Sequence, residues 1–343
     1  MNTHRLPIGV VIPTLNVRNR LPAHLAQITE WVDIVQEVVV VDSHSTDGTV
    51  EFIKQQLHHP QLRILQHPPG LYQSWNFGIR NVTAEYTYIS TVGDSITPEG
   101  LRHLVATAAQ LLSDVVISRP EFFTLEGQRL TNKRWPVHHL HEWHPLVQPM
   151  RVEPLHAFLL ATLDAPEGSL GSSASNLYRT EILQRFPFPT DYGHLGDTAW
   201  GIRHAFQASL GVTPKVFSGF VIHPSGGQIS DDLMDSLVSR LYTLARKTMK
   251  ESIELLTPMP GIASLLQFLC DLPVELRNLR NFQARYDEAR QKLWPWIFNP
   301  AAWKLRLQRN RQRGSICKGK REIREQFGLQ SRLRPRDDQK HGE

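Results

Sequence analysis

The chain has 343 residues, 41% hydrophobic and 21% charged, enough apolar material for a sizeable core and too little charge for a disordered chain. Two cysteines, Cys270 and Cys317, exclude a disulfide framework and a Cys-based zinc site, and they fit a reducing compartment. The net charge of +5 is uneven: residues 301–343 hold 13 Lys/Arg against 5 Asp/Glu, while residues 1–300 hold 25 against 28, so the basic balance belongs to the tail. The start of the chain lacks a charged-then-apolar leader, and no apolar run reaches the ~18 residues that span a bilayer. The expected location is cytoplasmic.

In chain order, residues 8–12 form a β-branched run ending at Pro13, which predicts a buried parallel strand. Residues 19–31 have a helix-like polar and apolar mix. Four valines at 38–41 predict a second buried strand, ended by Asp42. Ser45-Thr46-Asp47-Gly48-Thr49 is turn and cap chemistry leading into a helix over 49–57, with Thr46 or Asp47 as N-cap. Strands at 62–65, 86–91 and 115–117 alternate with helices at 71–82 and from Pro98 to about 112. Residues 121–170 are irregular and rich in His, Pro and Trp; His138, His139, His141 and His144 there suit a groove or loop better than a metal site. Order returns over 171–225, and 230–292 reads as helical.

This alternation predicts an α/β fold with a mostly parallel sheet flanked by helices, whose ligands bind beyond the carboxyl ends of the strands. Asp42 and Asp94 fall at such ends. A nucleotide-sugar presents a base, a ribose and a diphosphate. The first two want hydrogen bonds at strand ends, and the diphosphate wants a divalent cation held by hard oxygen ligands.

Four segments stand in order at informative spacing: 11–16 (VIPTLN), 41–49 (VDSHSTDGT), 70–79 (GLYQSWNFGI) and 90–98 (STVGDSITP). Together they resemble family 2 glycosyltransferases of the GT-A fold, over roughly residues 8–225. The resemblance implies an inverting transferase moving a sugar from a nucleotide-sugar donor to a hydroxyl of a glycan, lipid-linked or other acceptor, as in polysaccharide biosynthesis. It implies a donor site of Pro13, Thr14, Asn16, Asp42, Ser43, Asn76, Gly93 and Asp94, with Asp42 and Thr14 at the nucleoside and Asn76 donating to a phosphate or ribose. Trp75 stands where most members carry a small residue and is expected to narrow the pocket. Asp94, four residues before Pro98, matches the metal-binding acid, but Thr91 and Gly93 occupy positions that are often Asp. A divalent cofactor, Mn²⁺ or Mg²⁺, is therefore expected on a reduced ligand set of Asp94 and His223. Asp197, 103 residues after Asp94 and before a helical stretch, matches the catalytic base, with Gly196 in place of the usual first acid.

The expected domains are a glycosyltransferase domain over 1–228, a helical extension over 229–300 and a basic, partly disordered tail over 301–343. Within the first, a nucleotide-sugar half covers about 1–118 and an acceptor half about 119–228. Three tryptophans at 294–303 directly precede the basic stretch, a composition that suits docking at the inner face of a membrane as well as a solvated tail; no RNA-binding motif favours nucleic acid. Two rival readings stay open. A nucleotidyltransferase shares the layout but would need a glycine-rich basic loop after the first strand, and residues 13–18 have no glycine. A non-catalytic binding member is suggested by Gly93 and Gly196.

Overall fold

The computed structural model describes residues 5–131, 137, 140, 146–163, 165, 170, 173–222, 230–252, 254, 260–292 and 300–329. The chain divides into two compact units, Met1–Gln228 and Ile229–Glu343.

The first unit begins β1 (Leu6–Thr14), α1 (Leu21–Ile28), β2 (Val35–Asp42), α2 (Thr49–Gln56), β3 (Leu62–Gln66), α3 (Leu71–Arg80) and β4 (Tyr86–Ile89). It continues with β5 (Ser95–Ile96), α4 (Pro98–Leu111), β6 (Val115–Ile117), β7 (Pro120–Phe123), β8 (Arg129–Leu130), β9 (Met150–Val152) and α5 (Pro154–Thr162). It ends with β10 (Asn176–Arg179), α6 (Thr180–Arg185), α7 (Gly196–His204), β11 (Leu210–Val212) and β12 (Ser218–Val221).

The main sheet has the order β3-β2-β1-β4-β10-β6-β11-β9. Six strands run one way, and β10 and β9 run against them. Parallel neighbours need a crossover, which α1, α2 and α3 supply. A smaller sheet, β5-β12-β7-β8, pairs the segment after β4 with the first residues of β12.

The alternation along β1 and β2 explains the core. Ile8, Val10, Ile12, Val38 and Val40 pack with Leu21, Leu25 and Ile28 of α1 and with Leu101 and Leu104 of α4. Trp31 meets Tyr88 edge-on at 5.9 Å in the same cluster. The opposite face receives α3, and Gly78 permits the closest approach: a Cβ there would lie 2.5 Å from Val11 Cγ1. Helix α4 starts where its sequence demands, with Thr97 Oγ1 accepting from Gly100 N at 3.1 Å and Pro98 in the first turn.

The first 118 residues follow the expected order of elements, with boundaries shifted by a few residues. The stretch expected to be irregular does not: 121–170 contains β8, β9, α5 and most of β7. Helix α5 buries Leu155, Ala157, Phe158, Leu159, Leu160, Ala161 and Thr162 around its whole circumference, so it has no polar face to leave a helical period in the sequence. The four histidines lie outside the described residues. The N-cap of α2 is Gly48 at φ 83°, not Thr46 or Asp47, although Asp47 still accepts from Thr49 N at 3.1 Å.

In the second unit, α8 (Asp231–Glu251), α9 (Ile262–Lys292) and α10 (Pro300–Gln326) are long helices. Helices α9 and α10 meet at Gly319, where a Cβ would fall 2.7 Å from the Phe268 ring, and at Arg309, stacked 4.8 Å from the Tyr286 ring centre. The basic stretch expected to be partly disordered is therefore helical through residue 326. Residues 330–343 lie outside the described residues, as do the tryptophans at 294 and 296.

Candidate functional site

Strands β1 and β2 end level, with Thr14 opposite Asp42. Asp42 is fully buried. Its Oδ1 accepts from Thr14 Oγ1 at 3.0 Å and Ser45 Oγ at 2.6 Å, and its Oδ2 accepts from Ser45 N at 2.9 Å. Asn16, held at φ 50°, accepts from Thr46 N through Oδ1 and donates its own N–H to Ser45 Oγ, both at 2.9 Å. Asp47 takes Arg18 N at 2.9 Å, and the hydroxyl of Thr49 holds its carboxyl below the usual range. Ser43 N donates to Thr14 O at 2.8 Å, and its hydroxyl meets that of Ser74 on α3 at 3.0 Å.

These bonds bring Pro13, Thr14, Asn16, Asp42 and Ser43 into one laced pair of loops at the carboxyl edge of the sheet. The Asp42 carboxylate shapes that edge from below. Ser45, which closes three of these bonds, was not singled out by the sequence reading; a serine in a turn gives no signal of its partners.

The second cluster follows β4. Gly93 takes φ 110°, a left-handed conformation that a larger residue would strain, and Asp94 N donates to Thr91 O at 3.0 Å. Asp94 is almost buried, and its Oδ1 accepts weakly from Val221 N at 3.3 Å, so the carboxylate faces the end of β12. His223, the expected second ligand, follows β12 by two residues and lies outside the described residues. Thr91 Oγ1 bonds Ser173 Oγ at 2.8 Å, which closes the turn against the start of β10. Buried His24 of α1 reaches Ser90 Oγ at 3.3 Å, and burial pushes its imidazole down to about 4, so it is neutral. Among the described residues no three His, Cys, Asp or Glu side chains gather as a metal set.

The third cluster centres on Asp197 in the first turn of α7. Its Oδ1 accepts from Thr198 N at 2.7 Å, and the Tyr72 hydroxyl donates to His194 O at 3.0 Å in the turn before it. Burial against aromatic rings raises its carboxyl to about 6, although part of its surface still reaches solvent. Gly196 is enforced by space: a Cβ there would lie 2.5 Å from the Tyr72 ring and from Pro189 O. The acid expected at 196 is therefore displaced by an aromatic ring from α3. Tyr72 went unnoticed in the sequence, whose hint was the small residue at 196 and not the identity of the ring that fills the space.

Two donor-site expectations change. Asn76 Nδ2 donates to Phe188 O at 2.8 Å and its Oδ1 accepts from Phe188 N at 2.9 Å, so its amide staples α3 to the chain leading to α7. Trp75 packs edge-on against Tyr72 at 5.1 Å and Phe188 at 5.6 Å, a core position in an aromatic cluster and not the wall of a pocket.

The fold has relatives among solved structures. A structure of S. aureus TarS 1–349 in complex with UDP-GlcNAc is 15% identical, covers 92% of this chain and 91% of that chain, and has a TM-score of 0.51. A second S. aureus TarS structure is 18% identical over 93% of this chain and 55% of that chain, at 0.50. The mannosyltransferase PcManGT from Pyrobaculum calidifontis, in complex with GDP-Man and Mn²⁺, is 17% identical over 96% and 89%, at 0.49. No curated protein sequence matches. The TarS likeness shows a GT-A type α/β fold for the chain. Residues 9–186, more than half of the chain, match the model of glycosyl transferase family 2, so the chain belongs to that family and is a glycosyltransferase.

Proposed function

We propose that this glycosyltransferase works with inversion, using a nucleotide-sugar donor and a hydroxyl of a glycan or lipid-linked acceptor. The observation that carries the reading is Asp197: a carboxyl raised to about 6 in the first turn of a helix, half-sheltered by aromatic rings. A base must be ionised at working pH yet basic enough to take a hydroxyl proton, and a value near 6 meets both needs. The acceptor hydroxyl passes its proton to Asp197 while its oxygen attacks the anomeric carbon opposite the diphosphate. The bond from that carbon to the phosphate oxygen breaks, and its electron pair leaves with the nucleoside diphosphate.

In the donor site, Thr14, Asn16, Ser43 and Pro13 present the nucleoside edge, with Asp42 beneath holding their loops in register. Gly93 and Asp94 face the diphosphate. A divalent ion, Mn²⁺ or Mg²⁺, fits Asp94 as a hard oxygen ligand, with His223 as a further ligand and donor phosphate oxygens completing the set. When bound, the ion would stabilise negative charge on the departing diphosphate.

We also assign docking on an anionic membrane surface to α10. Residues 300–326 hold nine Lys/Arg and two Asp/Glu. Trp303 and Leu307, one turn apart, are 43% and 55% exposed, with Arg306 5.2 Å from the Trp303 ring centre. Aromatic and aliphatic side chains beside cations suit the headgroup region. No helix among the described residues is long and apolar enough to cross a membrane.

Four outcomes test these assignments. Asp197→Asn should lower sugar transfer by about 10²–10⁴-fold with nucleotide binding intact. The same change should stabilise the fold above pH 6 by on the order of 1–3 kcal/mol, because a carboxyl raised from 3.8 to about 6 loses stability as pH rises through that window. Undiminished transfer would remove Asp197 from the base role. In thermal shift, a nucleoside diphosphate should stabilise the wild type more with Mn²⁺ than without, and Asp94→Ala should abolish the difference; equal shifts in the wild type would remove the metal. Sedimentation with phosphatidylserine vesicles should exceed that with phosphatidylcholine, weaken with salt and fall in a Trp303→Ser, Leu307→Ser variant. Equal sedimentation with both lipids would contradict the docking.

A further inference from the structure

Among the described residues, three other than glycine hold a left-handed backbone: Asn16 at φ 50°, His44 at φ 57° and Leu112 at φ 50°. Two of them have a local reason. Leu112 is where α4 unwinds, and its N–H closes the last turn by donating to Ala109 O at 3.4 Å. Asn16 has the short amide that suits this conformation, and its Oδ1 accepts from Thr46 N at 2.9 Å. His44 has neither. Its side chain is exposed and makes no hydrogen bond, ion pair or ring contact among the described residues.

The backbone at His44 is left-handed because its neighbours are tied down. Ser43 N donates to Thr14 O at 2.8 Å, and the Ser43 hydroxyl meets Ser74 Oγ at 3.0 Å. Ser45 donates to the Asp42 carboxylate twice, from N at 2.9 Å and from Oγ at 2.6 Å. The chain must reverse between 43 and 45, and His44 absorbs the reversal. Glycine fills such a position with least strain, and this edge of the sheet uses glycine elsewhere. Gly48 ends the same loop at φ 83°, and Gly93 turns the segment after β4 at φ 110°. A residue with a Cβ is strained at 44, and a ring that packs on nothing gives the fold no stability to offset that strain.

Its place in the fold supplies a use for the ring. His44 stands two residues past the end of β2, between Ser43 and Ser45, in the laced loops assigned above to the nucleoside. The backbone that carries it is fixed on both sides, so only the two side-chain torsions remain free and little order is lost when the ring meets a ligand. Water satisfies the ring nitrogens of an exposed imidazole, but it gains nothing from the flat faces. A nucleobase covers such a face and buries its own at the same time. We propose, resting on the nucleotide-sugar reading of the donor site, that His44 is a specificity-determining residue whose imidazole ring contacts the nucleobase of the donor. The turn holds a strained residue because that residue carries the ring to the ligand.

The test sets stability against affinity in His44→Gly and His44→Ala. Both remove the ring, but only glycine relieves the backbone. His44→Gly should raise Tm by about 1–3 °C, whereas His44→Ala should not. Calorimetric titration with UDP, GDP and inorganic pyrophosphate, each with Mn²⁺, then reads the ligand. Both variants should bind the tighter of the two nucleoside diphosphates about 5–20-fold more weakly than the wild type and pyrophosphate equally well. A variant that is more stable yet binds more weakly is the outcome that a merely structural histidine does not give. Wild-type affinity for that nucleoside diphosphate in both variants would overturn the assignment, and so would an equal loss for pyrophosphate, which would place the ring at the phosphates. A lower Tm in His44→Gly would overturn it too, by showing that the ring supports the fold. If the wild type itself bound UDP and GDP no more tightly than pyrophosphate, the nucleotide-sugar reading would fail first and take this one with it.

Discussion

Helix α3 lies so close on the sheet at Gly78 that a side chain there would meet both Val11 and Val41, and the rest of the site depends on that approach. Within ten residues α3 reaches two of the three clusters. Ser74 meets Ser43 behind the laced loops at the ends of β1 and β2. Asn76 clasps Phe188 in the chain that leads to α7. Tyr72 donates to the His194 carbonyl in the turn before α7. Packing density and site geometry are here the same constraint.

Two buried carboxylates show how the surroundings divide the work. Asp42 receives three hydrogen bonds from Thr14 and Ser45 and ties the ends of β1 and β2 together. Asp197 sits against aromatic rings with fewer donors, and burial outweighs the hydrogen bonds that would lower its pKa. The same functional group thus stays hydrogen-bonded between two loops in one place and has its pKa raised by burial in the other.

The alternating strands and helices of the first 118 residues were legible because hydrophobic runs of β-branched residues and the turn chemistry around Gly48 and Pro98 are local signals. Thr14 and Asp42 could be located for the same reason, since each ends a recognisable strand, and Asp94 by its distance from Pro98. What escaped was non-local. Helix α5 is apolar all round and leaves no period. Asn76 and Trp75 sit in a segment whose pattern suggested donor contact, yet their partners come from more than a hundred residues away, or from a ring cluster no spacing announces. Tyr72 was invisible because only the fold brings it over Gly196. The glycine at 196 read as a lost acid, whereas in three dimensions it is the space that the phenol requires.

Asp197 is proposed as the base of the transfer reaction. The pH dependence of kcat/KM for the acceptor tests it most directly, because that quantity reports the ionisation of the free enzyme's essential base. The account predicts an acid limb with its midpoint near the carboxyl's value of about 6. A rate that stays flat through that region, down to the range of an ordinary exposed carboxylate, would contradict it.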